Sequence, residues 1–580
     1  MKAVFCIVLS LLVNAYGRGG TDLGGKWHYI IDPFDVGLGK GLMMDAVPAD
    51  KHSFFEYSYT GGKTLMVPGD WNHQDPELRW YEGVLWEARH FAASPSRGKR
   101  QILYFAGVSL RCDVFLNGVK VVSHEGAFTP FEADVTELIR EGDNFLAVRV
   151  DNTRHPDSIP ALSFDWWNYG GITRDVFLIE VPEVHVRDYF IRLQKGEKDR
   201  IVADVQLSVP DEGLQVGIEI PRLGFMKTLR TDKNGHARGS WKVRGLERWA
   251  PLAPMLYEVT LFCGEDRISD KIGFRDVAVD GTAVSVNGTP AFLKCISFHE
   301  EIPWESRRAC SPEDASVLID AALELGCNAI RLAHYPQNEH IVRLAEEKGL
   351  LIWEEIPLWQ GIDFSSRETF RRAATYLEEM VGRDRNRCAI ILWSISNETR
   401  PSPDRNAFLL DLLEEGRALD ASRLFTSAFD GVHYDSDAAA FRIEDDPFAA
   451  SLDVVGINKY MGWYAKWPGD PSSLQWEVLP DKPLVISEFG CEAKAGIFGQ
   501  ADVAWSWSED YQVSLYRDNL EMFRHIENLA GVSPWILFDF RSPFRQHPVH
   551  QDYYNRKGLL SDRGEKKKAW YVMNEFYREK

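Results

Sequence analysis

Positive charge is scarce in this 580-residue chain: 66 Lys and Arg face 86 Asp and Glu, a formal charge of −20 with a pI near 5.3. A polyanion such as nucleic acid needs a basic surface to displace its counterions, so it is excluded as the main ligand. Any acidic small molecule has to be met by a locally basic pocket. Cysteine is thin as well. Of the eight, Cys6 lies in an apolar N-terminal stretch, and the other seven (112, 263, 295, 310, 327, 388 and 491) are scattered and odd in number. That excludes a disulfide framework and a CxxC metal site and leaves room for one bridge. Long hydrophobic runs are missing beyond Ala3–Val13. That run, preceded by Lys2 and followed by Asn14-Ala15-Tyr16-Gly17, is too short to span a bilayer. It predicts a secretory signal over 1–17 and export to the periplasm or the medium, without a membrane span.

What is present reads as a soluble globular protein, 45% hydrophobic and 26% charged, long enough for roughly two to four domains. Nineteen Trp and 20 Tyr are many. Most belong to cores, but aromatic faces also stack on the C–H faces of sugar rings. Residues 18–182 carry short β-type runs, such as Gln101–Val108 and Asn144–Val150, with Asn117-Gly118 as a hairpin turn after Asp113–Leu116. These predict a jelly-roll-like β-sandwich. Over 183–275 the alternation of Ile201, Ala203, Val205, Leu207 and Val209, with the run Tyr257–Phe262, predicts a smaller immunoglobulin-like sandwich.

From 276 to 580 the rhythm becomes strand, helix, strand, helix. Candidate strands are Phe292–Phe298, Ala329–Ala333, Leu350–Glu354, Ala389–Ser396, Leu424–Ala428, Asp453–Ile457, Leu484–Ser487 and Ser533–Phe538. Between them lie capped helices such as Pro312–Leu325, from Ser311 to Gly326, and Asn338–Lys348, closed by Gly349. Eight such units predict a (β/α)8 TIM barrel. Two of the strands run into glutamates, Glu398 and Glu488. In such a barrel the strand C-termini form one face, so the two carboxyls would converge on one cavity. A pair of carboxyls flanking a glycosidic bond is what sugar hydrolysis needs.

Two β-sandwiches leading into a barrel whose fourth and seventh strands end in Glu make the chain similar to glycoside hydrolase family 2 over nearly its whole length. Within that family it most resembles the β-glucuronidases. The motifs are Trp393-Ser394-Ile395-Ser396-Asn397-Glu398, Ser487-Glu488-Phe489-Gly490, Trp507-Ser508-Glu509-Asp510-Tyr511-Gln512, Asn458-Lys459-Tyr460-Met461-Gly462-Trp463-Tyr464 and Asp165-Trp166-Trp167-Asn168-Tyr169-Gly170-Gly171-Ile172. Trp249–Tyr257 and Gly273-Phe274-Arg275 are family-like as well, with structural roles. The resemblance implies a retaining enzyme with Glu488 as nucleophile and Glu398 as acid/base. It implies that Asn397 holds the 2-hydroxyl, that Asp165, Asn458, Tyr460, Tyr464, His334 and Trp535 line the sugar pocket, and that Asn555 and Lys557 of Asn555-Arg556-Lys557-Gly558 bind the C6 carboxylate. The expected partner is a glycoside or oligosaccharide ending in a uronic acid. No cofactor and no metal are expected, and the protein is expected to assemble from identical subunits.

The chain departs from the pattern in two places. Gln551 stands where an Arg precedes the Asn in well-known bacterial relatives, which shifts charge onto Lys557, with Arg545 in the same loop as a substitute. The connection after strand three, Ile356 to Glu368, is short and leaves the leaving-group side open. Glu398 is expected protonated, and Glu488 is expected to be held low by Tyr460. His299 and His334 end strands one and two, where a satisfied histidine and a substrate contact are equally open. His547 and His550 have HxxH spacing but no third ligand. Asn397 and Asn287 head glycosylation sequons, and modifying Asn397 would block the site. The alternatives are a β-galacturonidase, a neutral-sugar enzyme of the same family, which Asn555 and Lys557 oppose, and a carbohydrate-binding protein without activity.

Overall fold

The computed structural model describes residues 18, 20–45, 58–443 and 446–580, so the proposed export signal over 1–17 lies outside the described residues. The first unit is a sandwich of antiparallel sheets. One has four strands in the order Gly20–Asp22, Val176–Pro182, Lys99–Phe105 and Phe131–Asp134. The other has six, and its widest pairing joins Val84–Ala93 to Gly142–Asp151. Trp27, Trp71, Leu103, Phe105, Val148 and Val150 fill the space between them. Asn117 and Gly118 turn the hairpin between Arg111–Leu116 and Val119–Glu125 with φ of 51° and 85°. Both angles are what a tight turn matched to strand twist requires.

The second unit packs a sheet of Val186–Leu193, Arg200–Leu207 and His236–Lys242 against one of Phe225–Arg230, Gln215–Ile220, Tyr257–Cys263 and Asp266–Ile272. Along Arg200–Leu207 every second residue is buried, so Ile201, Ala203, Val205 and Leu207 form the inner face as the alternation predicts.

The rest forms a closed parallel barrel of Leu293–Phe298, Ala329–Leu332, Leu351–Glu355, Ile390–Asn397, Leu424–Phe429, Val455–Asn458, Leu484–Glu488 and Leu529–Val532. These are its first to eighth strands. Their near-continuous apolar text follows from burial on both faces. A capping box on Ser311 opens the first helix, Pro312–Leu325, and left-handed Gly326 closes it. Asn338 and Gly349 do the same for Glu339–Lys348. The eighth strand corrects the sequence reading: it is Leu529–Val532, and Ser533–Phe538 is the irregular segment that follows it. That more apolar run forms no regular ladder, although its backbone still reaches the neighbouring strands: the Ser533 N–H donates to the Ile486 carbonyl and the Leu537 N–H to the Ser297 carbonyl. All seven described cysteines are free, and no described helix is long and apolar enough to cross a membrane.

Candidate active site

At the C-terminal ends of the strands lies a cavity of about 590 Å³. The fourth strand, Ile390–Asn397, is buried throughout, and the chain turns off it at Glu398 with φ of 52°. Non-glycine residues rarely adopt that region and keep it only where the surroundings enforce it. Here the Glu398 N–H donates to the Ala428 carbonyl, Asn458 Nδ2 donates to Oε1 at 2.9 Å, and Gln360 Nε2 donates to Oε2 at 2.9 Å. The seventh strand ends on Glu488. Its Oε1 accepts from Arg331 Nη1 at 2.7 Å and its Oε2 accepts from the Tyr460 hydroxyl at 2.7 Å.

Arg331 points inward from the second strand and is fully buried. It also donates to both oxygens of Glu355, at 3.2 and 3.1 Å, and to Asn397 Oδ1 at 2.8 Å. One guanidinium therefore ties the ends of the second, third, fourth and seventh strands together. Asn397 Oδ1 accepts from Asn458 as well, at 3.1 Å, whereas its Nδ2 has no partner among the described residues. His334 bonds Glu355 Oε1 through Nδ1 at 2.7 Å and stacks on Trp535, with centroids 4.7 Å apart.

The two glutamates differ in what touches them. Glu398 is pushed up to about 7, first by burial and then by the negative charges of Glu488 and Asp430, while the amides of Asn458 and Gln360 pull it down. Glu488 also lies above the ordinary carboxylate value, because burial outweighs Arg331 and Tyr460. This corrects the expectation that Tyr460 holds it low. A cation nevertheless contacts Glu488 alone of the pair, so the shared proton favours Glu398 and the charge favours Glu488. Burial keeps His334 below its usual value in spite of Glu355.

On the opposite wall Lys557, buried, donates to the Tyr464 hydroxyl at 2.8 Å and lies 3.8 Å from Glu492 Oε1. Arg545 pairs with Asp165, which reaches the barrel from the first sandwich, and with Glu492 Oε1 at 3.2 Å. Asp165 also accepts from Ser542 and, at 3.3 Å, from Asn555 Nδ2. Gln551 donates to both oxygens of Glu492, at 3.0 and 2.9 Å, and does not line the cavity.

Of the residues the sequence singled out, Asp165, His334, Glu398, Asn458, Tyr460, Tyr464, Glu488, Trp535 and Lys557 line this cavity, together with Arg545. Asn397 and Asn555 sit one layer beneath its lining, bonded to residues that form it. His299 is buried behind the wall, its ring against Trp535 and Phe540. The rings of His547 and His550 lie 4.8 Å apart beside Trp507, away from the cavity. The described residues hold no group of three or more His, Cys, Asp or Glu that could hold a metal ion. Sequence reasoning missed Arg331, Glu355, Trp359, Gln360, Asp430 and Glu492. Arg331 and Glu355 had a readable signal, since a charge inside or ending an apolar parallel strand must face something that offsets it.

Chemically, the cavity offers one carboxyl with a proton to give, one held beside a cation, an aromatic floor and two further cations opposite. The TIM barrel domain model of glycosyl hydrolases family 2 matches residues 277–578, and the sugar binding domain model of the same family matches 21–182. A putative beta-glucuronidase of Formosa agariphila is 27% identical over 575 residues, covering 89% of this chain and 67% of that protein. Among solved structures, a beta-glucuronidase of an uncultured Clostridium species superposes with a TM-score of 0.82 at 25% identity, covering 97% of this chain and 98% of the other. A GH2 beta-galacturonidase of Eisenbergiella tayi bound to galacturonate does so with a TM-score of 0.80 at 25% identity and the same coverage. The two-carboxyl cavity thus stands in a barrel that, like the first sandwich, matches the family's model, and the chain belongs to glycoside hydrolase family 2.

Proposed function

We propose that the chain is a retaining, exo-acting β-glucuronidase that removes terminal β-linked glucuronate from glycosides or oligosaccharides. The observation that carries this reading is that Glu398, Glu488 and the buried cation Lys557 all face one cavity. Glu488, its charge supported by Arg331 and Tyr460, attacks the anomeric carbon while Glu398 gives its proton to the departing oxygen. Glu398 then takes a proton from water, which attacks the glycosyl-enzyme from the vacated side, so that two displacements retain configuration. The unpartnered Nδ2 of Asn397 is a ready donor for a sugar hydroxyl, and Trp535 stacked on His334 gives the ring a floor. At the far end Lys557, with Asn555 behind it, meets the C6 carboxylate, since a uronate entering a protein of charge −20 needs a local ammonium. The short link from Ile356 to helix Arg367–Asp384 folds Gln360 against Glu398 and leaves space for a further sugar as leaving group.

A β-galacturonidase is the second reading, favoured by the likeness to the Eisenbergiella tayi enzyme. Export and assembly from identical subunits belong to the proposal too, to be checked by fractionation of the producing cell and by light scattering. The deciding experiment is a panel of aryl β-glycosides (glucuronide, galacturonide, glucoside, galactoside, mannoside) with product stereochemistry followed by NMR. The uronides should be cleaved with retention. Glu488→Gln and Glu398→Gln should each lose natural-substrate activity by several orders of magnitude, as when one member of a catalytic unit is removed. Preference for a neutral glycoside, or an inverted product, would sink the reading.

A further inference from the structure

The group that protonates the departing oxygen marks the leaving-group side of a glycosidase cavity, and two exposed side chains flank that group here. In the barrel the fourth strand lies between the third and the fifth. Gln360 comes from the connection after the third strand, where its backbone N–H donates to the Asn397 carbonyl at 3.0 Å and its side-chain amide holds Glu398 Oε2. Asp430 comes from the other flank. It is the first residue after the fifth strand, Leu424–Phe429, whose Ala428 carbonyl takes the Glu398 N–H. Both side chains line the cavity and both are exposed, whereas Lys557, Arg545 and Tyr464 belong to loops after the sixth and eighth strands. The flanks differ in what they still offer. The Gln360 amide is turned to Glu398. The Asp430 carboxylate makes no hydrogen bond and no ion pair among the described residues, and an ionised carboxylate can only accept. Lys459, also in the lining, feels the charge of Asp430 through space, but its Nζ is tied to the Val432 carbonyl at 2.5 Å and lies over the Phe441 ring. The same charge reaches Glu398, where it adds to burial and Glu488 in keeping the proton on. A carboxylate so close to the acid, with no partner of its own, faces whatever departs with that proton.

We infer that Asp430 selects the leaving group by its charge: leaving groups that are neutral or carry an ammonium are accepted, and those that carry a carboxylate or a sulfate ester are turned away. This rests on the reading of the enzyme as an exo-acting uronidase and names the other half of its substrate. The cavity is polarised, with cations on one wall and an unpaired carboxylate beside the acid. A terminal uronate linked to a neutral or amino sugar fits that polarity. A run of consecutive uronates does not, because it puts a second carboxylate beside Asp430.

The test uses phenyl β-glucuronides whose leaving group carries a para aminomethyl, methyl or carboxymethyl substituent, at a pH near 6, where the first is cationic and the last anionic. kcat/KM for each is measured in the wild type, Asp430→Asn and Asp430→Lys. The substituents alter the leaving group in the same way in every variant, so a change in the cation-to-anion ratio between variants reports the surroundings alone. In Asp430→Asn that ratio should fall about 3- to 30-fold, the size of one charge acting over roughly 8 Å near a protein surface, and mostly through KM. In Asp430→Lys it should fall further. Raising the salt from about 20 to about 500 mM should compress the wild-type ratio more than the Asp430→Asn ratio. A second readout is the pH profile of kcat/KM for the methyl substrate. The titratable groups around Glu398 are Glu488, Asp430, His334, Lys459 and Tyr460, and Asp430→Asn removes one negative charge from them, so the alkaline limb should move to lower pH. A cation-to-anion ratio that stays within about twofold of wild type in both variants, the span expected of independent sites, overturns the inference and leaves the uronidase reading intact. If the wild type cleaves no glucuronide, that reading falls first. The same three leaving groups are then placed on whichever glycoside of the aryl panel is cleaved, and the ratios decide Asp430 by the same criterion; cleavage of none removes the basis of both. Should Asp430→Asn not fold, Asp430→Ser takes its place with the same expected and overturning results.

Discussion

An acid is useful only while it holds its proton, and Glu398 holds one up to about pH 7 because burial, Glu488 and Asp430 all disfavour its charge. With substrates that have poor leaving groups, turnover should therefore fall as pH rises through about 7. Glu398→Gln should lose that limb while still cleaving substrates with very good leaving groups. The same shift marks stability. The Glu398 pKa is raised from 4.5 unfolded to about 7 folded, so the folded state binds the extra proton between those values and stability drops as pH rises across that window. Gln carries no such charge. The melting temperature of Glu398→Gln relative to wild type should climb between about pH 4.5 and 7 and then level off, as read by thermal melts at a series of pH values. A gain that is flat with pH would show that Glu398 is not charged against its surroundings.

At the scale of elements, the barrel strands are joined through a residue inside one of them. Removing Arg331 from the second strand would leave Glu355 and Glu488 buried without their cation. Arg331→Met should therefore destabilise the fold by about 3–5 kcal/mol. Denaturant unfolding should register the loss most clearly at pH 8, where both carboxyls are driven to ionise, and least near pH 5. The elements also show what sequence could convey. Buried parallel strands read as apolar runs with polar ends, so the ends at Glu398 and Glu488, the helix caps at Ser311 and Asn338 and the turn at Asn117-Gly118 were all legible. Arg331 carried a signal but was not read, because a reading that looks for chemistry at strand ends passes over a charge one position inside Ala329–Leu332. Nor was the eighth strand, since Leu529-Ala530-Gly531-Val532 is short and contains a glycine. Trp535–Phe538, being more apolar, looks more like a strand yet meets the first strand at one hydrogen bond, from the Leu537 N–H to the Ser297 carbonyl, instead of in a ladder. The pairings of Arg545, Glu492 and Asp165 join three separate loops, and no local pattern announces such a meeting.

Across the whole molecule, the first sandwich is fastened to the barrel by a buried charge. Arg174 donates to Glu300 at 2.8 Å and to the Pro336 carbonyl at 2.7 Å, and Glu300 in turn accepts from the Asn338 N–H at 2.8 Å. Both charges are fully buried. Arg174→Ala takes from Glu300 the closer of its two cations and leaves it Arg308 at 3.7 Å, so a loss of about 3 kcal/mol, the low end for breaking a buried pair, is expected. Because the same unit carries Asp165, limited proteolysis should cut between sandwich and barrel sooner in this variant, and activity should decline in step with the cutting. Activity that persists after cleavage would mean that Asp165 is dispensable.

The contact between Asp165 and Asn555 spans 390 positions of the chain, and that span sets an order in time. During synthesis the first sandwich can fold as a unit while the residues it will meet have yet to be made. A contact of such long range also carries the largest loop-closure cost, so it forms late. The cavity wall is thus completed at the end of folding, and a nascent or half-folded chain holds its two glutamates without the wall that would let them act.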